Sequence, residues 1–241
     1  MTKAWLFDVD GTLTPSRQSM DPEFRIWFCE FLSTNDVFLV TGSDYAKTVE
    51  QLGTTITENV ECVYGCSGND IWKNGRNVWY NNWQLPDIAE TFLTQCLNES
   101  MFEIRTGNHL ERRPGMVNFS IVGRNATHEE RKQYVEHDTK YNERNQIVKA
   151  FNTMFGDEIT ATAGGETGLD IYPVGKDKAQ IIDDFSEYDT IFFFGDRCDP
   201  AGNDYTLAQA VSALSGRGSY YHVDGWIDTY EKLQKMLPIN A

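Results

Sequence analysis

The chain has 241 residues, of which 40% are hydrophobic and 24% charged, a composition typical of a globular protein and not of a disordered one. Its 36 Asp and Glu against 21 Lys and Arg leave a formal net charge of −15, which argues against a general binder of nucleic acid or of anionic membranes. No apolar run approaches the ~20 residues of a membrane-spanning helix. With five cysteines and no export signal, we expect a cytoplasmic protein with reduced thiols.

The first third of the chain alternates predicted strands and helices. In chain order these are a buried strand over 4–10, a helix over 21–32, a buried strand over 36–40, a helix through Leu52 and a hairpin over 71–80. Asp21 can cap the first helix and Pro22 suits its first position, while Asn74-Gly75 is the strongest short signal for a hairpin turn. This order of elements favours a parallel α/β sheet.

The middle of the chain has a different pattern of predicted elements. Helical patterns and alternating, strand-like segments follow one another there: helices over 86–98 and 127–155, strands around 101–104, 116–122 and 168–172. Two helices with several alternating strands predict an α+β insertion. The α/β pattern resumes after Lys178 with a strand over 191–194. We therefore expect a split α/β core, residues 1–82 and 177–241, interrupted by a cap domain over 84–175.

Three predicted core strands end in polar residues. These ends are Asp8-Val9-Asp10-Gly11-Thr12, Thr41-Gly42-Ser43-Asp44 and Gly195-Asp196. Ligands of parallel α/β sheets bind at the carboxyl ends of the strands, so we expect the three ends to converge. Two carboxylates at i and i+2 on one strand end, Asp8 and Asp10, with a third from Asp196, would make a hard-oxygen site suited to Mg²⁺.

The same residues suggest phosphoryl-transfer chemistry. Asp8 could attack a phosphoryl group as a nucleophile, and Asp10 could act as general acid and base. Lys178 would neutralise charge in the transition state, while Thr41, Gly42 and Ser43 would bind phosphate oxygens through hydroxyl and backbone N–H groups. Each feature alone also fits a structural role, since paired aspartates often cap turns. Their occurrence together beside buried strands favours a site.

These residues carry a family resemblance. The segment from Asp8 to Thr14 resembles the first motif of the haloacid dehalogenase superfamily of phosphotransferases, and residues 41–43, Lys178 and Gly195-Asp196 resemble its other three motifs. The resemblance implies a Rossmann-like parallel-sheet core with an inserted α+β cap, and Mg²⁺ as the metal.

A closer resemblance is to the eukaryotic-type phosphomannomutases, and it extends through the cap. Residues 8–18, 42–53, 113–124 and 193–204 are similar to segments of that family. It implies that Arg113, Arg124 and Arg131 bind substrate phosphate and that Asp170 contacts sugar hydroxyls. It also implies substrate-binding roles for Arg17 and Asn203.

The family's activity is the interconversion of mannose 6-phosphate and mannose 1-phosphate. The resemblance implies an aspartyl-phosphate on Asp8, a hexose 1,6-bisphosphate as intermediate and activator, a homodimer formed through the cap, and a place in GDP-mannose biosynthesis. The sequence departs from the family at Gly168, where the mutases usually have a serine, and at Thr41, where they have a glycine. A Mg²⁺-dependent sugar-phosphate phosphatase with the same core is therefore an alternative, and a catalytically silent binding or scaffold protein is another.

Two further groups of residues have competing interpretations. Four aromatic residues could form a stacking platform for a sugar, but a packed hairpin face is the favoured interpretation: Trp72, Trp79, Tyr80 and Trp83. Arg131 could form an ordinary surface ion pair with Glu129 or Glu130 in place of binding phosphate.

Overall fold

The structure is a computed structural model that describes residues 1–200 and 202–237, and they divide into two compact units. Of the described residues, the first unit comprises Met1–Tyr80, Asp177–Pro200 and residues 204–237, and the second comprises Asn81–Lys176 with Gly202 and Asn203. Within the described part of the chain, every helix is too short or too polar to cross a lipid bilayer.

A mostly parallel sheet of seven strands forms the centre of the first unit, in the order β11-β10-β1-β2-β3-β4-β5. The strands are β1 (Lys3–Phe7), β2 (Asp36–Val40), β3 (Cys62–Gly65), β4 (Asp70–Lys73), β5 (Arg76–Tyr80), β10 (Thr190–Gly195) and β11 (Gly218–His222). The first five in the spatial order are parallel, and β4 and β5 are added antiparallel. The turn between β4 and β5 lies at Asn74-Gly75, as predicted, and both residues have positive φ.

Helices flank this sheet. They are α1 (Pro22–Leu32), α2 (Tyr45–Leu52), α3 (Thr54–Thr57), α7 (Tyr205–Ser212) and α8 (Trp226–Met236), with a 3₁₀ helix over Lys178–Phe185. Asp21 caps α1 as predicted, because its carboxylate accepts hydrogen bonds from two N–H groups of the first turn. Alternate residues of β1 join different hydrophobic clusters, so that Trp5 packs in one and Leu6 in another. A strand buried on both faces in this way accounts for the continuous apolar run in the sequence.

The second unit has a four-stranded antiparallel sheet in the order β6-β7-β9-β8. Its strands are β6 (Leu110–Arg113), β7 (Met116–Phe119), β8 (Ile159–Gly164) and β9 (Gly168–Pro173), and its helices are α4 (Asp87–Glu99), α5 (His128–Tyr141) and α6 (Glu143–Phe155). One hydrophobic cluster joins sheet and helices, with Phe119, Tyr134 and Phe151 among its fully buried members.

Two predicted elements of the second unit are wrong. The single helical pattern over 127–155 is two helices, because Asn142 adopts the left-handed conformation that ends one helix before the next begins. The segment 101–104 forms no strand. Its alternation reflects one buried ring, Phe102, which packs edge-to-face on Tyr134 with centroids 5.1 Å apart.

The predicted packed hairpin face is wrong for two of its aromatic residues. Trp79 and Tyr80 are 45% and 59% exposed, because β5 is the edge strand of the sheet and all of its residues are exposed. Trp72 instead stacks on Tyr45, with ring centroids 4.0 Å apart. Trp83 packs against the hydrophobic cluster of the second unit.

Candidate active site

The strand order of the first unit brings the three polar strand ends together. β1 lies between β10 and β2, and all three are parallel, so Asp8, Thr41 and Asp196 follow the same edge of the sheet. This confirms the predicted convergence of the three segments. The first unit therefore holds the carboxylates and hydroxyls selected from the sequence in one place.

A buried lysine bridges two buried aspartates at the centre of this edge. Lys178 Nζ donates to Asp8 Oδ1 at 2.5 Å and to Asp204 Oδ1 at 2.7 Å. The lysine and Asp204 are fully buried, and Asp8 is 4% exposed. Burial alone would lower the pKa of Lys178, but the two carboxylates outweigh it and raise that pKa. The lysine is thus a fixed positive charge against the proposed nucleophile and not a solvated surface group.

Three carboxylates crowd around this lysine. Oxygens of Asp8, Asp196 and Asp204 lie within 4.8 Å of one another. Burial raises the pKa of Asp8, and the charges of Asp196 and Asp204 raise it further. The positive charge of Lys178 acts in the opposite direction but does not cancel the rise. Burial and the nearby Asp204 carboxylate also raise the pKa of Asp196, to about 7. An excess of buried negative charge with oxygen-only donors fits a hard divalent cation such as Mg²⁺.

Gly11 allows the chain to pass close to Asp196. Its φ is +81°, and a Cβ on this residue would lie 2.7 Å from Cγ of Asp196. Both the backbone conformation and the close approach therefore favour glycine at this position. The half-buried Asp196 carboxylate keeps its place beside the Asp8 loop for this reason.

Hydrogen bonds hold the Asp10 carboxylate from three directions. Oδ1 accepts from the Arg17 backbone N–H at 2.6 Å and from Gln51 Nε2 at 2.9 Å, and Oδ2 accepts from Ser43 Oγ at 3.4 Å. Gln51 is buried and also donates to Thr14 Oγ1 at 3.2 Å. The Asp10 side chain is thus fixed beside the Asp8 loop, where a second carboxylate can exchange protons.

The segment after β2 supplies the remaining polar groups of this edge. Thr41 is buried, and its Oγ1 accepts a hydrogen bond from the Ser43 N–H at 3.1 Å. Gly42 and Ser43 are half-buried. Asn203, another predicted substrate residue, is half-buried and directly precedes Asp204, while the neighbouring residue 201 of that predicted segment lies outside the described residues.

Two of the three predicted phosphate arginines lie together in the second unit, joined by a carboxylate. Arg113 Nη2 lies 3.1 Å from Glu111 Oε2, and Arg124 Nε donates to the same oxygen. Burial and the positive charge of Arg113 lower the pKa of Arg124. Burial opposes ionisation of Glu111, but the two guanidinium groups outweigh it and lower the pKa of Glu111. The pair forms a compact positive site with one built-in counter-charge.

Arg131, the third arginine, forms neither ion pair expected as the alternative. Glu129 and Glu130 lie two and one residues away, respectively, on the same helix and do not face it. Glu130 completes the capping box with Thr127. Arg131 Nη2 instead lies 3.3 Å from Glu166 Oε2, across 35 residues of chain.

The predicted sugar-binding residue Asp170 lies on β9 of the second unit. Its Oδ1 accepts from Asn118 Nδ2 at 2.6 Å, and both residues are buried. A Cβ at Gly168 would lie 2.8 Å from that same Nδ2, so the glycine departure leaves room for Asn118. The pair presents a carboxylate held in one orientation.

Sequence reasoning assigned no role to three residues that complete these clusters. Asp204 carried a usable signal, because it follows β10 at the same strand end as Asp196. Glu111 carried one too, since residues i and i+2 of a strand share a face and Arg113 is two residues later. Nothing local marked Gln51, whose partner is 41 residues away.

Comparisons with known proteins agree with this geometry. Residues 27–239 match the family model described as eukaryotic phosphomannomutase. Human "Phosphomannomutase 1" is 36% identical over 213 residues, which cover 84% of this chain and 81% of that protein. Among solved structures, the C-terminal domain of C. albicans trehalose-6-phosphate phosphatase superposes with a TM-score of 0.70 at 15% identity, covering 98% of this chain and 91% of that one. A haloacid dehalogenase-like hydrolase from Bacteroides thetaiotaomicron gives 0.59 at 13% identity, covering 98% and 100%. At such identity the two structures establish the haloacid dehalogenase-like fold alone.

Proposed function

The chain belongs to the eukaryotic phosphomannomutase family, and from that premise we propose that it interconverts mannose 6-phosphate and mannose 1-phosphate. One observation carries the proposal: the chain has both a buried Asp–Lys–Asp cluster and a separate set of arginines. A simple phosphate-ester hydrolase needs the first set. A mutase also needs a second anion site, because its bisphosphate intermediate has two phosphates.

Asp8 would carry the phosphoryl group. The phosphorylated enzyme transfers it to the free hydroxyl of a hexose monophosphate, while Asp10 takes the hydroxyl proton, and the product is hexose 1,6-bisphosphate. The bisphosphate then presents its other end. An Asp8 oxygen attacks that phosphorus, the bond to the sugar oxygen breaks, and Asp10 returns the proton to that oxygen.

The neighbours of Asp8 would stabilise this transfer. Lys178, held by Asp204, places positive charge against the attacking carboxylate. Ser43, Gly42 and Thr41 would bind phosphate oxygens. Asp8, Asp196 and the Asp10 main-chain carbonyl would hold Mg²⁺, which when bound would stabilise negative charge on the transferring group.

The second unit would bind the phosphate that is not reacting. Arginine suits this role because its planar fork can donate two hydrogen bonds to one phosphate. Arg113 and Arg124 would share one such anion, Arg131 would add a third guanidinium, and Asp170 would accept from a sugar hydroxyl. Arg17, whose backbone N–H binds Asp10, would add a positive side chain near the reacting phosphate.

Cellular context is part of the same proposal. A family member of this kind would work in the cytoplasm as a homodimer joined through the second unit. It would supply mannose 1-phosphate for GDP-mannose biosynthesis and would need hexose 1,6-bisphosphate as activator.

An assay of two products tests the proposal. Mannose 1-phosphate is supplied with Mg²⁺, with and without a hexose 1,6-bisphosphate, and both mannose 6-phosphate and free phosphate are followed. We expect isomerisation that the bisphosphate stimulates, with little phosphate released. Free phosphate as the main product, with no stimulation, would establish the phosphatase alternative, and neither product would favour the silent relative.

A further inference from the structure

The two side chains of the ion pair between Arg131 and Glu166 differ strongly in their exposure to solvent. The Arg131 side chain is 8% exposed, whereas that of Glu166 is 51% exposed. Their separation of 3.3 Å is long for a charge-assisted hydrogen bond, which is usually about 2.7–2.9 Å. Arg131 is therefore a buried cation with a loosely held, solvent-exposed counter-ion.

The guanidinium of Arg131 has hydrogen-bonding capacity that Glu166 does not use. Glu166 engages Nη2, while Nη1 is buried and has no hydrogen-bond partner among the described residues. A buried guanidinium nitrogen without an acceptor is unfavourable. A phosphate has several oxygens and can accept from two nitrogens of one guanidinium. The unused nitrogen therefore points to an anionic ligand that can accept from Nη1 as well as from Nη2.

The backbone around Glu166 is fixed independently of its side chain. Glu166 lies in the turn between β8 and β9, where Gly164 pairs with Gly168. Arg144 donates to the Gly165 carbonyl at 3.0 Å, and Ser120 Oγ donates to the Thr167 carbonyl at 3.0 Å. These bonds hold the turn on both sides of Glu166, so its carboxylate can leave Arg131 without moving the chain.

We propose that Glu166 sets the affinity of the second unit for phosphate-bearing ligands, by occupying Arg131 in the free protein and yielding it when a phosphate binds. The identity of the ligand as a hexose phosphate rests on the proposed function. Glu166 is an affinity-setting residue that acts through Arg131. In the absence of ligand, the Glu166 carboxylate balances the charge of the buried Arg131. It therefore competes with an incoming phosphate for the same guanidinium.

The size of the competition follows from the exposure of Glu166. Ion pairs with an exposed partner favour the closed over the open form by up to about fivefold. Apparent affinity falls by the fraction of protein in which the site is open. Removal of the competing carboxylate should therefore tighten phosphate binding by about two- to sixfold, and kcat should not change. If Glu166 only positioned Arg131, its removal would weaken binding, which is the opposite sign.

A double-mutant cycle tests this role. The dissociation constant of mannose 6-phosphate is measured by calorimetry in the presence of a chelator for wild type, Glu166→Gln, Arg131→Gln and the double variant. KM and kcat for mannose 1-phosphate are measured with Mg²⁺ in parallel. Glu129→Gln is the matched control, because it removes the same charge from an exposed site near Arg131 without contacting it. Arg131→Lys provides a second background, in which the charge remains but the fork is lost.

We expect Glu166→Gln to bind mannose 6-phosphate more tightly and to have a lower KM with an unchanged kcat. Glu129→Gln should have no effect, and Glu166→Gln should not tighten binding when Arg131 is replaced by Gln. Unchanged or weaker binding in Glu166→Gln, or an equal gain without Arg131, overturns the inference. A failure of the proposed function is distinguishable. Wild type would then isomerise no mannose phosphate, while the Arg131-dependent gain would still be measured with inorganic phosphate as ligand.

Discussion

Substitution of Gly11 by alanine should perturb the proposed Mg²⁺ site by displacing one side chain. Gly11 has φ of +81°, and an added Cβ would lie 2.7 Å from Asp196 Cγ, where ordinary contact begins at 3.4 Å. Because Asp196 Oδ2 would lie closer still, the carboxylate must retreat by at least about 0.7 Å. Metal–ligand distances tolerate only about 0.2 Å, and a misplacement of 1 Å can cost roughly 100-fold in rate.

Gly216→Ala is the control that distinguishes the effect of displacing Asp196 from the effect of backbone strain alone. Gly216 has nearly the same φ, +79°, and nothing within 4 Å of its added Cβ. Each substitution should cost about 1–2 kcal/mol for the left-handed conformation, which lowers Tm by about 2–8 °C. Only Gly11→Ala should also lower kcat/KM, by about 10- to 100-fold, and raise the Mg²⁺ concentration for half-maximal activity. Equal Mg²⁺ dependence in the two variants would refute the argument that Gly11 makes room for Asp196.

Three other predictions follow from the charged clusters. Asp8→Asn is nearly isosteric and should abolish turnover while the far-ultraviolet circular dichroism stays that of wild type; activity within tenfold of wild type would exclude an aspartyl-phosphate. Chelation should stop activity, and Asp196→Ala should need more Mg²⁺ than wild type in an activity titration; full activity in excess chelator would remove Asp196 from a metal role. Glu111→Gln should destabilise the protein at pH 7, because Arg113 and Arg124 lower the folded-state pKa of Glu111. The stabilisation from ionised Glu111 is complete above its ordinary pKa near 4.5 and is lost as pH falls through the lowered folded-state pKa. The difference in Tm between wild type and Glu111→Gln should therefore vanish in acid. A Tm difference that does not change with pH would contradict this account.

Elements with a strong local signal were predicted correctly. The Asp21-Pro22 start of α1 and the Asn74-Gly75 turn depend on backbone chemistry within a few residues, which the sequence displays directly. The buried strands β1 and β10 were recognisable because both faces of a parallel strand are apolar. Asn142 was missed because a left-handed residue inside a helical pattern differs little from any polar surface residue.

In the candidate site, likewise, some residues could be selected from the sequence and others could not. Asp8, Asp10 and Asp196 could be selected because parallel strands bring their ends to one edge. The partners that fix them are distant in sequence: Lys178 and Asp8 are 170 residues apart, and Gln51 and Asp10 are 41 apart. No periodicity encodes such contacts. The resemblance identified Lys178 as a motif residue, while its burial between two carboxylates required coordinates.

The two units have complementary electrostatic needs in a chain of net charge −15. In the first unit, three carboxylates face one lysine, so the cluster lacks positive charge and has a pKa near 7 at Asp196. In the second, the half-buried Arg113 and Arg124 have Glu111 as their counter-charge, and the buried Arg131 has Glu166. A cation would relieve the first cluster, and an anion would complete the second. In the first unit, Mg²⁺ would take its ligands from one or two carboxylates, water and a substrate phosphate, so metal and substrate should bind cooperatively: the Mg²⁺ affinity measured by calorimetry should rise when mannose 1-phosphate is present. Equal Mg²⁺ affinity with and without the sugar phosphate would mean that the carboxylates bind metal independently of the ligand.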